Sequence, residues 1–125
     1  MREEEVRFVY LFVFFDLPVK NKKERRHATR FRNFLVNDGF DMMQFSVYTR
    51  VCRGQDAADK HLGRVTKNLP PKGGVRALQV TERQYARMKL LVGTPTRQEQ
   101  TGTDQLVLLS SIPVRRIDFK NLQDS

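Results

Sequence analysis

Residues 6–15 carry apolar side chains in both phases of an extended chain. Val6, Phe8, Tyr10, Phe12 and Phe14 point one way, and Val9, Leu11, Val13 and Phe15 the other. A strand of this kind must be covered on both faces. Asp16-Leu17-Pro18 ends it, because proline cannot continue a central ladder. A basic loop follows at 19–23 (VKNKK), and then the period changes. Ala28, Phe31, Phe34 and Leu35 fall on one stripe and predict a helix over about 24–37, stopped by Asn37-Asp38-Gly39 with Gly39 in the left-handed conformation.

Residues 40–52 are extended. Met43, Phe45, Val47 and Val51 share one side, Gln44, Ser46, Tyr48 and Arg50 the other, and a break near Gln44 divides the segment or leaves it whole. Ala58, Leu62, Val65 and Leu69 predict a second helix over 55–68, with Asp56 as its cap and Asp59 in its first turn. Pro70-Pro71-Lys72-Gly73-Gly74 breaks the chain before a strand at 75–81. Thr81-Glu82-Arg83-Gln84 has capping-box spacing and predicts a helical turn. Short strands are expected at 89–92 and 105–110 (QLVLLS), around a polar loop at 94–104.

This order suits an α+β, ferredoxin-like sandwich with both helices on one sheet face and an extra C-terminal strand. The domain is expected to occupy 1–110 and a tail 111–125. The packing leaves the face of Phe8, Tyr10, Phe12 and Phe14 open, and a large bare apolar patch is unfavourable. A second copy related by a two-fold axis covers it most simply, which predicts a homodimer. The alternative cover is the C-terminal strand and tail of the same chain.

Composition adds a partner. The chain has 125 residues, 23 Lys and Arg against 14 Asp and Glu, and a formal charge of +9, which attracts polyanions, nucleic acid above all. A soluble basic or ribosome-like structural protein is the plainer reading. The densest basic stretch holds Lys20, Lys22, Lys23, Arg25, Arg26, Arg30 and Arg32, with Lys72 and Arg76 extending it. These cations suit phosphate oxygens, or else line a solvated helix face. One cysteine, Cys52, rules out an internal disulfide framework and is read as a packing residue. Cys52, His27 and His61 cannot assemble a zinc site at normal spacing, and both histidines are read as surface or boundary residues. The start MREEE is not a signal peptide, the longest apolar run is too short to span a membrane, and a reducing, cytoplasmic compartment fits.

The ordered set FFDLP, RFRNFLVNDGF, MMQFSVYTR and NLPPKGGVRALQVTERQYARM resembles the CRISPR-associated Cas2 family over about 6–109. The resemblance implies a ferredoxin-like homodimer in spacer acquisition, bridging two dimers of the Cas1 integrase and holding duplex DNA. It also implies magnesium-dependent endonuclease activity on RNA or DNA. The family's acidic residue falls on Asp16, its Gln-x-Ser-Val-aromatic segment on Gln44, Ser46, Val47 and Tyr48, and its helix arginine on Arg30. The tail after Ser111 departs from the family pattern.

One Asp16 is too little for a usual two-metal nuclease site, whereas two across a dimer axis could share one Mg²⁺ with waters and phosphate oxygens. The plainer role of Asp16 is to shape the turn before Pro18. Ser46 either bonds a phosphate or water near Asp16 or pairs within the sheet, and Tyr48 either stacks a base or packs at the interface. Two other functions fit the same features: a free-standing metal-dependent endoribonuclease, and a non-catalytic RNA-binding module, although the glycine-aromatic signature of the latter is missing.

Overall fold

The β-branched and aromatic run forms the central strand β1 (Phe8–Asp16), antiparallel to a neighbour on each side. The structure, a computed structural model, describes residues 7–96 and Glu99. The chain divides into two compact units, 1–82 and 83–125. The first contains α1 (Lys22–Asn37), β2 (Asp41–Gln44), β3 (Val47–Arg53), α2 (Gln55–Thr66) and β4 (Gly74–Thr81). The sheet order is β2-β3-β1-β4, so each helix carries the chain past one intervening strand. This is the ferredoxin-like arrangement expected.

Leu11, Val13 and Phe15 of β1 meet Phe31 and Leu35 of α1, Ala58 and Val65 of α2, and Tyr48 and Cys52 of β3 in one buried cluster. Burying each large side chain here contributes roughly 1.5–3 kcal/mol. Both helices therefore cover the odd-numbered face of β1. On the other face Tyr10 and Phe12 are buried, while Phe14 is 36% and Leu78, opposite Phe12, is 51% exposed. The bare apolar surface on this face is thus narrower than the strand pattern implies.

Several expectations are corrected. Helix α1 starts at Lys22 because Asn21 Oδ1 accepts from the Glu24 amide (2.8 Å) and Glu24 Oε1 accepts from the Lys20 amide (2.8 Å). Lys22 and Lys23 are therefore helical, not part of the basic loop. Helix α2 is capped by Gly54 at φ 97°, without a side-chain cap; Asp56 lies inside its first turn, and Leu69 is exposed. The open question at Gln44 is answered too: the segment divides into β2 and β3, with Met43 bulged out of their register.

Tyr48, expected at an interface or under a base, is 3% exposed and stacks on Phe15 at 5.5 Å. The buried side of β3 is that of Tyr48 and Cys52, because Tyr48 lies opposite Val13 and Cys52 opposite Val9 on the helix-covered face. Cys52 is fully buried, and burial pushes its thiol up, as a packing role requires. Gly39 takes φ 93°, as the helix stop demands.

Beyond β4 the capping-box turn is present as α3 (Glu82–Ala86). Residues 89–92 form no strand; the chain there has no ladder partner among the described residues and turns at Gly93, φ 123°. Thr96 and Glu99, expected in a polar loop, exchange hydrogen bonds in helix-start fashion (2.7 and 3.2 Å). The expected strand at 105–110 and the tail 111–125 lie outside the described residues.

Candidate carboxylate and nucleic-acid site

Asp16 is the last residue of β1, paired with Gly74 of β4 and exposed. Its even number places it on the face away from the helices, beyond Phe14. Arg76 lies opposite Phe14 on the same face, one diagonal step from Asp16, a separation of about 7–8 Å between directly placed side chains. The Asp16 carboxylate has no hydrogen bond or ion pair among the described residues, so it remains available. The backbone beneath it is tightly seated. Gly73 has φ 100°, and a Cβ there would fall 2.7 Å from the Asp16 carbonyl oxygen. Only glycine allows this approach, which explains Gly73 in structural terms; a Cβ at Gly74 would meet nothing within 4 Å.

Among the described residues no group of three or more His, Cys, Asp and Glu side chains could hold a metal. Asp16 is therefore not part of a cluster of three or more such ligands among the described residues. One carboxylate, completed by water and phosphate oxygens, lies within what a magnesium ion accepts, and a second carboxylate from another chain would add to it.

The other candidates fall into three places. Lys22, Arg25, Arg26 and Arg30 line a shallow open groove along α1 with Thr29 and Asn33. Lys23 is exposed nearby. Lys72 lines a separate small crevice with His27, Glu24 and Pro70. Arg32 and Ser46 stand at the β2–β3 hairpin, where the Ser46 carbonyl accepts from the Phe15 amide at 3.1 Å. Ser46 adopts φ 73°, unusual for a residue with a side chain, so its presence carries local strain. The structure thus puts Arg76 beside Asp16, gathers four cations on α1, and does not merge the two sets.

The charges of α1 run against its dipole at both ends. Its first turns hold Lys22, Lys23, Arg25 and Arg26 with one acid, Glu24, and no base lies in its last turn. Cations at a helix N-terminus cost about 0.3–1 kcal/mol each when exposed. Arg30 lies mid-helix, beyond the reach of that effect, and Arg25 donates to the Val19 carbonyl (3.2 Å), so replacing Arg25, Arg26 and Arg30 by Gln is expected to change stability by no more than about 1 kcal/mol. The same change should flatten the slope of log affinity against log salt for duplex DNA by about 1 per lost phosphate contact. A salt slope identical to that of the parent chain would show that the groove does not meet phosphate.

Two features had no sequence signal strong enough to find them. Phe45, assigned to a strand face, sits at the hairpin tip and is 74% exposed. His61, read as a surface or boundary residue, is 7% exposed and its Nδ1 lies 2.8 Å from Asp38 Oδ2. Arg64 donates to Asp38 Oδ1 at 2.8 Å, and Arg50 Nε to the Asp38 carbonyl at 2.8 Å. No helix of the described residues is long and apolar enough to cross a membrane.

Residues 9–88 match the family described as CRISPR associated protein Cas2. A protein of Acidovorax ebreus named CRISPR-associated endoribonuclease Cas2 is 60% identical over 90 residues, covering 72% of this chain and 88% of the relative. Proteins of the same name from Campylobacter jejuni (42% over 108 residues; 86% of this chain, 76% of the relative) and Flavobacterium psychrophilum (37% over 107 residues; 86% and 93%) are similar along most of their length.

Proposed function

Because the chain belongs to the CRISPR-associated Cas2 family, we propose that it is a phosphodiester-cleaving endonuclease that works as a homodimer, with its two Asp16 side chains facing each other across the axis. The observation that carries this reading is the position of Asp16. It is a carboxylate with no partner among the described residues, at the end of the face that also exposes Phe14 and Leu78. Apposing two copies of that face buries the exposed apolar side chains and brings the two carboxylates toward one place. The names of the relatives, all endoribonucleases, support the reaction class.

Two Asp16 carboxylates would hold one Mg²⁺. When bound, such an ion supplies charge for the phosphate oxygens and lowers the pKa of a water. Arg76, on the same face, is placed to receive a phosphate next to that pair. The α1 groove binds backbone without regard to sequence, because its donors are arginine and lysine side chains on a convex helix. In the cell the dimer acts within the spacer-acquisition complex, where it holds duplex DNA between two dimers of the Cas1 integrase; the +9 charge supports that role.

Sedimentation and cleavage in one preparation test the reading. The parent chain is expected to run as a dimer. Phe14→Glu combined with Leu78→Glu should give a monomer with native circular dichroism and lose cleavage although Asp16 is intact. A monomer that still cleaves at the parent rate would overturn the shared site.

A further inference from the structure

The guanidinium of Arg32 is held in an unusual setting. Its Cζ lies 4.5 Å from the centroid of the Phe45 ring and 5.4 Å from that of Phe15. Its Nε has no accessible surface and no hydrogen-bond partner. It has no ion pair among the described residues. Nε itself is closed to any ligand, whereas the terminal nitrogens are not buried in this way and have no acceptor among the described residues, so they are the donors left open. Phe45 is equally unsettled. It is the most exposed large apolar side chain among the described residues, at the tip of a two-residue hairpin loop.

The two anomalies belong together. Arg32 covers one face of the Phe45 ring and fixes it, leaving the rest of the ring to solvent. An exposed aromatic ring braced by an arginine is the combination that receives unpaired nucleotides, the base stacking on the ring and the phosphate taking the N–H donors. A base inside a duplex cannot reach such a ring, because both its faces are already stacked.

We propose that Phe45 and Arg32 form a subsite for one unpaired nucleotide, with the base on the free face of Phe45 and a phosphate on the terminal N–H groups of Arg32. The proposal rests on the nucleic-acid reading above and assigns to these two residues the contact that tells an unpaired nucleotide from a paired one at this end of the sheet. The site is near the end of β1, since the Ser46 carbonyl beside Phe45 accepts from the Phe15 amide, the residue before Asp16.

The chain contains no tryptophan, so Phe45→Trp introduces a sole reporter at the site. Binding is measured in chelator, with hydrolysis silent, using an oligoadenylate RNA of about ten nucleotides and a blunt duplex of the same length. Single strand is expected to quench the F45W emission and duplex to leave it unchanged. Phe45→Ala should weaken single-strand binding by about 5- to 100-fold and duplex binding by less than about twofold. Arg32→Lys, which keeps the charge and loses the planar fork, should also weaken the single strand.

An emission unmoved by single strand, or equal losses on both probes in F45A, would overturn the subsite. So would an emission that changes with protein concentration alone, which would place the ring in a protein interface. The Asp16→Asn variant is expected to bind the single strand normally. Quenching without Asp16-dependent cleavage would therefore remove the enzymatic reading and leave this subsite standing.

Discussion

If Asp16 holds the metal as proposed, Asp16→Asn is expected to lower magnesium-dependent cleavage by at least about a hundredfold, because it removes the charged oxygen donor that each chain would bring. The substitution keeps the size and shape of the side chain. Asp16 is exposed at a strand end, and its backbone pairing with Gly74 does not involve the carboxylate. Stability should therefore stay within about 0.5 kcal/mol. The shared-site reading makes a sharper statement about mixed dimers. If one metal needs both carboxylates, a dimer with one Asp16 and one Asn should behave like the doubly substituted dimer. Activity of reassorted mixtures then follows the square of the parent fraction. A linear dependence would mean that each chain works alone, and undiminished cleavage by D16N would remove the assignment.

The second large effect concerns stability. Asp38 follows the last residue of α1 and is 6% exposed. A carboxylate there faces the negative end of the helix dipole and is taken out of water. His61 and Arg64 of α2 meet its two oxygens, and Arg50 of β3 meets its carbonyl. These contacts tie the end of α1 to α2 and to the sheet. Asp38→Ala removes the acceptor that both α2 side chains share, and is expected to lower the unfolding free energy by about 3 kcal/mol. Arg64→Ala should cost only about 1 kcal/mol or less, since its side chain is 52% exposed and easily solvated. Urea titration of the full chain separates the two. Equal and small losses would show that the cluster contributes little.

The sequence reading and the structure agree where one period governs a whole element. The two-phase run of β1, the Phe31–Leu35 stripe of α1 and the Asn37-Asp38-Gly39 stop each follow from spacing alone. Agreement fails where contacts between distant residues decide. Nothing local ties Asp38 to His61, which sits on another helix, so the histidine reads as a boundary residue until the fold pairs them. Tyr48 and Val47 are both apolar, and alternation shows only that they face opposite ways. Which face is buried depends on β1, where Val13 lies across from Tyr48. Phe45 looked like a strand residue because the turn beside it uses Ser46 with a positive φ, where glycine or asparagine is the usual signal.

At the candidate site the position of Asp16 was legible, because a strand must end before Pro18. Its neighbours were legible only in part. Arg76 reaches the same face through β4, a strand nearly sixty residues later whose register no local pattern fixes. The arginine assigned from the family pattern, Arg30, lies on α1 and lines its groove.

The reversed polarity of α1 has a consequence for the life of the protein in a cell. A helix that collects cations at its positive end is weakest when nothing anionic is near, and any polyanion that binds it stabilises the native state in proportion to its occupancy. If nucleic acid is that polyanion, as proposed, copies held on it and copies left over are two populations with different lifetimes. The leftover copies open more often and are the ones presented to proteases. Abundance would follow the supply of the polyanion, so that turnover itself trims the protein to the amount its partner can hold.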